Sequence, residues 1–177
     1  YISFHDKLTG LYNRTFFEEE LARLDTKRQL PISLIIGDIN GLKIANDVFG
    51  HQEGDRLLQK IAQILKESCR KEDIIARWGG DEFAVVLPQT TNKAALKICD
   101  SIIHKCTSAD KDPIQPSIAL GCSTKENSSQ NMQQILKGAE DRMYRHKLLE
   151  NKSVRSSIIS SLEKTLFENN FETEEHA

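Results

Sequence analysis

The spacing of apolar positions changes several times along the chain, and each change marks a predicted helix or strand. Apolar residues three or four positions apart predict helices over residues 14–24, 42–48, 54–68, 95–106 and 132–149. Short, nearly continuous apolar runs predict strands over residues 32–36, 73–78, 82–87 and 117–122. After the first helix, the order of elements is therefore β-α-β-β-α-β-α.

This order contains a βαββαβ core, which is typical of ferredoxin-like α+β folds with a mixed sheet flanked by helices. A right-handed crossover makes the first two strands parallel and leaves a gap between them. The third strand returns through a tight hairpin, for which Gly79 and Gly80 are expected to supply positive φ angles. It fills the gap antiparallel to both neighbours, so the end of the first strand lies beside the start of the third.

Three carboxylates fall at this predicted sheet edge. Asp38 follows the first strand, and Asp81 and Glu82 open the third. Neighbouring carboxylates repel one another, and a divalent cation such as Mg²⁺, which prefers hard oxygen ligands, relieves that repulsion. The alternative is two ordinary polar strand ends and a hairpin turn, where acidic residues are common.

Composition narrows the class of protein. The chain has 177 residues, 38% of them hydrophobic and 28% charged, with a formal net charge of -2, which indicates one domain with a short appendage. The near balance of charges provides no basic surface for nucleic acid, and no apolar run approaches the ~20 residues of a membrane span.

Four cysteines without metal-binding spacing indicate reduced thiols in a cytoplasmic domain. Because the first residue is Tyr1, we expect a fragment of a longer protein, and membrane attachment of that longer protein stays open.

Five ordered blocks of sequence then resemble the GGDEF domain of diguanylate cyclases, a palm-like nucleotidyl cyclase fold. They are DKLTGLYNR (6–14), DINGLK (38–43), NDVFGHQEGD (46–55), RWGGDEF (77–83) and AEDRMYRHK (139–147). The resemblance implies that two such domains, each holding one GTP with Mg²⁺ or Mn²⁺, face each other as a homodimer. They would join the two nucleotides into cyclic di-GMP and release two pyrophosphates.

The resemblance also implies roles for the acidic residues. Asp38, Asp81 and Glu82 would be catalytic, and the metal ligands would be the carboxylates of Asp38 and Asp81 with the backbone carbonyl of Ile39. Glu82 would either assist proton removal or support the metal ions.

For the phosphates, the resemblance assigns the loop of Asn40, Gly41, Leu42 and Lys43, whose backbone N–H groups open a helix, together with Lys147. Two departures in that loop, Asn40 for the usual Asp and Leu42 for the usual Phe, are expected to be tolerated. A third departure is Asn151, which stands where the family usually has an Arg that grips phosphate.

For the base, the resemblance assigns Asn46 and Asp55. A carboxylate accepts hydrogen bonds from both the N1–H and the N2 amine of guanine, whereas adenine would face it with a lone pair. The alternative for Asn46 is a helix cap.

Arg70 and Asp73 form an RxxD pattern at the distance before GGDEF where the family has its inhibitory product site. The alternative is an exposed ion pair at a helix end. Six strand residues place Asp73 about 20 Å from the hairpin, so it lies outside the catalytic pocket.

The predicted division is a catalytic domain over residues 1–152 and a helical linker or dimerising helix over residues 153–177. The tail from Glu172 to His176 resembles the opening of an HD-GYP-type phosphodiesterase. We therefore expect an upstream sensory domain and a downstream phosphodiesterase domain in the full protein.

Three functions compete. The first is an active, product-inhibited diguanylate cyclase. The second is a GGDEF module that binds GTP or cyclic di-GMP without catalysis and regulates an adjoining phosphodiesterase, and the Asn151 departure favours it. The third, a palm-like nucleotidyl transferase acting on nucleic acid, lacks the necessary basic surface.

Overall fold

The computed structural model describes residues 3–111 and 113–174 of the chain. Its elements in chain order are β1 (Tyr12–Asn13), α1 (Arg14–Leu24), a 3-10 turn (Lys27–Gln29), β2 (Ile32–Ile39), α2 (Leu42–Phe49), α3 (His51–Ser68), β3 (Ile74–Arg77), β4 (Glu82–Leu87), α4 (Asn92–Ser108), β5 (Ile118–Lys125) and α5 (Met132–Glu174). The predicted order of helices and strands is confirmed, with β1 as an addition.

The strands form one mixed sheet in the order β1-β3-β4-β2-β5. Strand β4 lies between β3 and β2 and pairs antiparallel with both, as predicted from the crossover argument. Strand β5 pairs antiparallel with the other side of β2, which makes β2 a central strand. The two-residue strand β1 pairs in parallel with Ala76 and Arg77, and it is too short for any apolar alternation to reveal it.

Helices cover both faces of the sheet. Helices α1 and α5 pack on one face against Leu34 and Ile36, and helices α2, α3 and α4 pack on the other against Ile35 and Ile39. Successive side chains of a strand point to opposite faces, so every residue of β2 is buried on one side or the other. This is why β2 reads in the sequence as a continuous apolar run.

Helix α5 lies unusually close to the edge strand β5. A Cβ atom at Gly121 would be 2.0 Å from the carbonyl oxygen of Ala139 and 2.2 Å from the amide nitrogen of Met143, so only glycine leaves room for the helix backbone. One turn further on, the backbone N–H of Leu120 donates to Nδ1 of His146 over 3.0 Å. These contacts fix the position of the next helical residue, Lys147, relative to the sheet.

The prediction that the last domain helix ends near Leu149 is wrong, because α5 continues without a break to Glu174. No glycine or proline occurs between Leu149 and Glu174, so nothing in the sequence stops the helix. The division into residues 1–152 and 153–177 stays a prediction. The last residues of the tail that resembles an HD-GYP opening, 175–177, lie outside the described residues.

The hairpin between β3 and β4 also differs from its prediction. Neither Gly79 nor Gly80 has a positive φ angle, because the connection has four residues rather than the two that require one. The N–H groups of Trp78 and Gly79 donate to the carbonyl of Glu82, and the Arg77 guanidinium donates to the carbonyls of both glycines. Gly79 instead leaves room for Glu82, since a Cβ there would be 2.9 Å from Oε2 of that side chain.

The four cysteines are free thiols, as predicted. Burial raises the pKa of Cys69 to about 12 and the pKa of Cys106 to about 11, so both stay protonated at neutral pH. Among the described residues, no helix has the length and apolar character that crossing a membrane requires.

Candidate active site

Strand pairing brings the three predicted carboxylates together. Asp38 at the end of β2 is the pairing partner of Glu82 at the start of β4, and the N–H of Ile39 donates to the carbonyl of Asp81 over 2.9 Å. The Asp38 side chain is only 9% exposed. The juxtaposition expected from the order of strands is therefore present at one edge of the sheet.

Charge in this acidic cluster is poorly compensated. Burial raises the pKa of Asp38, and the neighbouring Asp81 raises it further, whereas Lys147 acts in the opposite direction. Burial also raises the pKa of Glu82, with additional contributions from Asp38 and Asp81. The folded protein thus disfavours simultaneous ionisation of these carboxylates, which is the condition that a bound cation relieves.

Lys147 is the cation that helix α5 brings to this edge. Its Nζ atom lies 2.6 Å from Oδ1 of Asp38, and its side chain is 25% exposed. The sequence resemblance assigns Lys147 to phosphate, whereas here it is paired with a predicted metal ligand. The ammonium is therefore positioned between the acidic cluster and the cavity beside it.

The residues present fit a divalent cation that shares its ligands with a substrate. Within residues 3–111 and 113–174, no three His, Cys, Asp or Glu side chains form a group that could hold a metal ion without other ligands. Mg²⁺, however, is usually held by one or two carboxylates together with substrate phosphates and water. Asp38 and Asp81, with the carbonyl of Ile39, match that kind of site.

A cavity of about 400 Å³ opens beside the cluster. It is lined by the loop residues 41–44, by Asp81 and by two basic residues of α5, Lys147 and Arg155. Gly41 has a φ of 74° and precedes the first turn of α2, whose N–H groups have no partners within the helix. Such N–H groups, with Lys43 beside them, suit phosphate oxygens.

Asn40 differs from the expectation for this loop. Its N–H donates to the carbonyl of Ser117 and its side-chain amide donates to Oγ of the same residue, each over 2.9 Å. These donors are therefore not available to a phosphate, and Asn40 instead attaches the loop to the chain just before β5. Oδ1 of Asn40 is buried and has no hydrogen-bond partner among the described residues.

The two residues predicted to bind the base lie on consecutive helices, which meet at Gly54. Asn46 lies inside α2 and its side chain packs on Gly54, where a Cβ atom would be 1.7 Å from Oδ1 of Asn46. Asp55 follows Gly54 on α3 and is exposed. Asn46 is not a helix cap, so that alternative is not what the structure shows.

Arg70 and Asp73 lie at the opposite end of the sheet, away from the acidic cluster. Both carboxylate oxygens of Asp73 accept from Arg70, one from its backbone N–H over 2.7 Å and one from Nη2 over 3.1 Å. Nη2 also donates to the carbonyl of Pro88 and to Oγ1 of Thr90. The Asp73 side chain is 0% exposed, so this is not the exposed ion pair of the alternative interpretation.

Arg70 nevertheless remains accessible, because 46% of its side chain is exposed. It lines a cavity of about 330 Å³ with two further basic residues, Lys66 and Lys71. A larger cavity of about 870 Å³ lies between α1 and α5 and does not include the acidic cluster.

Sequence reasoning missed two residues of α5. Arg155 was assigned to the appendage, although it lines the cavity with Lys147. The signal that would have found it is the absence of any helix-breaking residue after Leu149. His146 was also missed, because its partner is a backbone N–H on another element.

The fold and the site define an α+β domain with a five-stranded mixed sheet, in which an acidic sheet edge lies beside the loop that precedes α2. The family model "Diguanylate cyclase, GGDEF domain" matches residues 3–153. The chain therefore belongs to the GGDEF domain family, as its sequence blocks predicted.

Curated relatives agree with this assignment. Diguanylate cyclase TpbB of Pseudomonas aeruginosa is 35% identical over 150 residues, which are 79% of this chain and 34% of TpbB. Response regulator PleD of Caulobacter vibrioides is 32% identical over 151 residues, which are 80% of this chain and 33% of PleD. The chain thus spans about a third of the length of these relatives.

The fold is also that of solved GGDEF domains. The structure of the GGDEF domain of TpbB from Pseudomonas aeruginosa matches with a TM-score of 0.75 at 33% sequence identity. That match covers 82% of this chain and 89% of the solved chain.

Proposed function

We propose that this chain is a diguanylate cyclase that condenses two GTP molecules into cyclic di-GMP and releases two pyrophosphates. The observation that carries the proposal is the acidic cluster of Asp38, Asp81 and Glu82. Its charges are poorly compensated, and it lies beside a cavity lined by residues 41–44, whose N–H groups suit phosphate oxygens. Each domain would hold one GTP, and two domains would face each other as a homodimer. Family membership and the relative TpbB support the same reaction.

Asp38 and Asp81 would hold Mg²⁺ or Mn²⁺ through their carboxylates, and Ile39 through its carbonyl oxygen. The cation, when bound, neutralises negative charge on the α-phosphate and on the leaving pyrophosphate. Glu82 is suited to accept the proton of the attacking ribose hydroxyl, because its raised pKa makes the carboxylate a stronger base.

The phosphates of GTP would lie in the cavity of about 400 Å³. The N–H groups that open α2 would donate to phosphate oxygens, and Lys43 and Lys147 would add positive charge. Lys147 reaches both the cavity and Asp38, so it can balance charge on either side.

Asn46 and Asp55 would bind the guanine base. Asp55 is exposed beside Asn46, and its carboxylate can accept from the N1–H and the N2 amine together. Adenine would leave that carboxylate facing a lone pair, and unmatched polar groups are strongly disfavoured. We therefore expect GTP to be used and ATP to be rejected.

We further propose that cyclic di-GMP inhibits the enzyme at Arg70 and Asp73. Arg70 offers exposed guanidinium donors on the wall of a basic cavity that is separate from the acidic cluster. Product bound there would slow catalysis by holding two domains out of their facing arrangement.

The domain would act in the cytoplasm, where GTP is available and free thiols stay reduced. In the full protein, it would connect an upstream sensory domain to a downstream phosphodiesterase. A non-catalytic module that regulates that phosphodiesterase is the alternative, and Asn151 in place of a phosphate-binding Arg favours it.

The test is incubation of the chain with GTP and Mg²⁺, followed by chromatographic separation of the nucleotides. Cyclic di-GMP with two equivalents of pyrophosphate supports the proposal, and chelation of the metal should stop the reaction. Binding of GTP without product would favour the regulatory module, and equal consumption of ATP would contradict the assignment of Asp55.

A further inference from the structure

We propose that Arg155 binds the terminal phosphates of GTP and takes the role that the family resemblance places at position 151. This inference rests on the proposed function, since it assigns a further residue to the same nucleotide site. It begins from the observation that Arg155 lines the cavity beside the acidic cluster together with Lys147 and the loop before α2.

The geometry follows from the unbroken helix α5. Residues eight apart on a helix are separated by about 12 Å along its axis and by about 80° around it. Lys147 and Arg155 are long enough to converge from those two positions, and both reach the same cavity of about 400 Å³. Lys147 pairs with Asp38 at the acidic end, which leaves Arg155 for the part of the cavity beyond that pair. That is where the outer phosphates of a triphosphate would extend.

The positive charge of Arg155 has no partner among the side chains that the structure describes. Among the side chains that the structure describes, none forms an ion pair or hydrogen bond with the Arg155 guanidinium, whereas Lys147 is held by Asp38. A guanidinium presents a planar set of donors that matches two phosphate oxygens at once. An exposed, unpaired Arg on the wall of a phosphate-sized cavity therefore suits a polyphosphate ligand.

The sequence departure at position 151 gains an explanation. An Asn cannot supply the positive charge that the family's usual Arg supplies, and this departure favoured a non-catalytic module. Arg155 lies one turn further along α5 and supplies a positive charge to the cavity in place of the missing Arg. The neighbouring Lys152 is also exposed but does not line the cavity, so it provides a matched control.

The experiment is calorimetric titration of the full chain in the presence of Mg²⁺ with GDP, with GMP and with GTP in the form of its analogue that has a methylene group between the α- and β-phosphates and therefore cannot release pyrophosphate. Arg155→Ala should weaken GTP binding about tenfold and leave GMP binding unchanged, because only the outer phosphates lose a charge-assisted contact. Arg155→Lys should recover part of the affinity. Lys152→Ala should bind GTP like the wild type.

Three results would overturn the inference: unchanged GTP affinity in Arg155→Ala, an equal loss of affinity for GTP and GMP, or an equal loss in Lys152→Ala. Because the Arg155 side chain is exposed, the variant should keep the fold, which the thermal unfolding midpoint checks. Failure of the proposed function looks different, since the wild type itself would then bind no GTP.

Discussion

The two ends of the sheet differ in how completely their buried carboxylates are compensated by cations and hydrogen-bond donors. At one end, Asp38 pairs with Lys147, and repulsion from neighbouring carboxylates adds to the effect of burial in raising the pKa values of Asp38 and Glu82. At the other end, Asp73 has both oxygens bonded to Arg70, which also bonds to two groups of the β4–α4 connection. An uncompensated cluster therefore indicates a ligand site, whereas a fully bonded ion pair first of all stabilises the fold.

The largest expected effect comes from removing one charge at the acidic end. Asp81→Asn should lower the rate of cyclic di-GMP formation at least about 100-fold, since an amide is a poor ligand where charge neutralisation carries the chemistry. The same change should not destabilise the protein, because it removes repulsion. The matched control is Asp100→Asn on the exposed surface of α4, which should keep the wild-type rate. Near-wild-type turnover in Asp81→Asn would remove Asp81 from the metal site.

The opposite end should show the reverse pattern. Arg70→Ala should lower the free energy of unfolding by about 2 kcal/mol, because the fully buried Asp73 carboxylate keeps the backbone N–H bond at one oxygen but loses the charged donor at the other. Glu18→Ala, which breaks an exposed pair with Arg14, should leave that free energy nearly unchanged. Urea unfolding of the two variants measures the difference, and equal stabilities would show that burial at Asp73 has no energetic consequence.

Arg70→Ala also tests whether the end of the sheet that carries Arg70 and Asp73 has a regulatory role. Progress curves with added cyclic di-GMP should show inhibition of the wild type and little inhibition of the variant, at similar initial rates. If both proteins are inhibited alike, the Arg70–Asp73 pair is only structural.

The pH dependence of stability should reflect the titration of Asp38 and Glu82 in the acidic cluster. Burial and neighbouring carboxylates raise the pKa values of Asp38 and Glu82 above their ordinary values of 3.8 and 4.5. Their contribution to stability is therefore complete below about pH 4 and is lost as the pH rises through the folded-state values. In Asp81→Asn, the loss between pH 4 and pH 7 should be smaller than in the wild type. If the urea unfolding midpoints of the wild type and Asp81→Asn change by the same amount between pH 4 and pH 7, the carboxylates of the acidic cluster do not repel one another.

The smallest expected effect concerns the attachment of α5 to the sheet. His146→Leu should cost about 1 kcal/mol, because the N–H of Leu120 loses its acceptor, and should raise KM for GTP through the displaced Lys147. His146→Asn places an amide oxygen close to the position of Nδ1 and should recover most of both losses. If the two variants behave alike, the hydrogen bond does not position Lys147.

Sequence reasoning predicted the strand order and the meeting of Asp38 with Glu82, because the apolar pattern and chain connectivity determine them. It predicted helices on both sides of residues 150–152 but not that they form one helix, since only Val154 is apolar between Leu149 and Ile158. The pairing of Lys147 with Asp38 depends on how closely α5 approaches β5 at Gly121, which is a packing property. The same holds for Arg155, whose place in the site follows from the direction of the helix.

The unbroken helix α5 also has a mechanical consequence. Its 43 residues correspond to a rod of about 64 Å, with no loop between the part that packs on β5 and the part that extends beyond the domain. A rotation of about 20° about the helix axis moves a group at the ~6 Å radius of its side chains by about 2 Å. That displacement is enough to separate Lys147 from Asp38, which are now 2.6 Å apart. A torque applied to the far end of α5 would therefore act directly on the pair of Lys147 with Asp38.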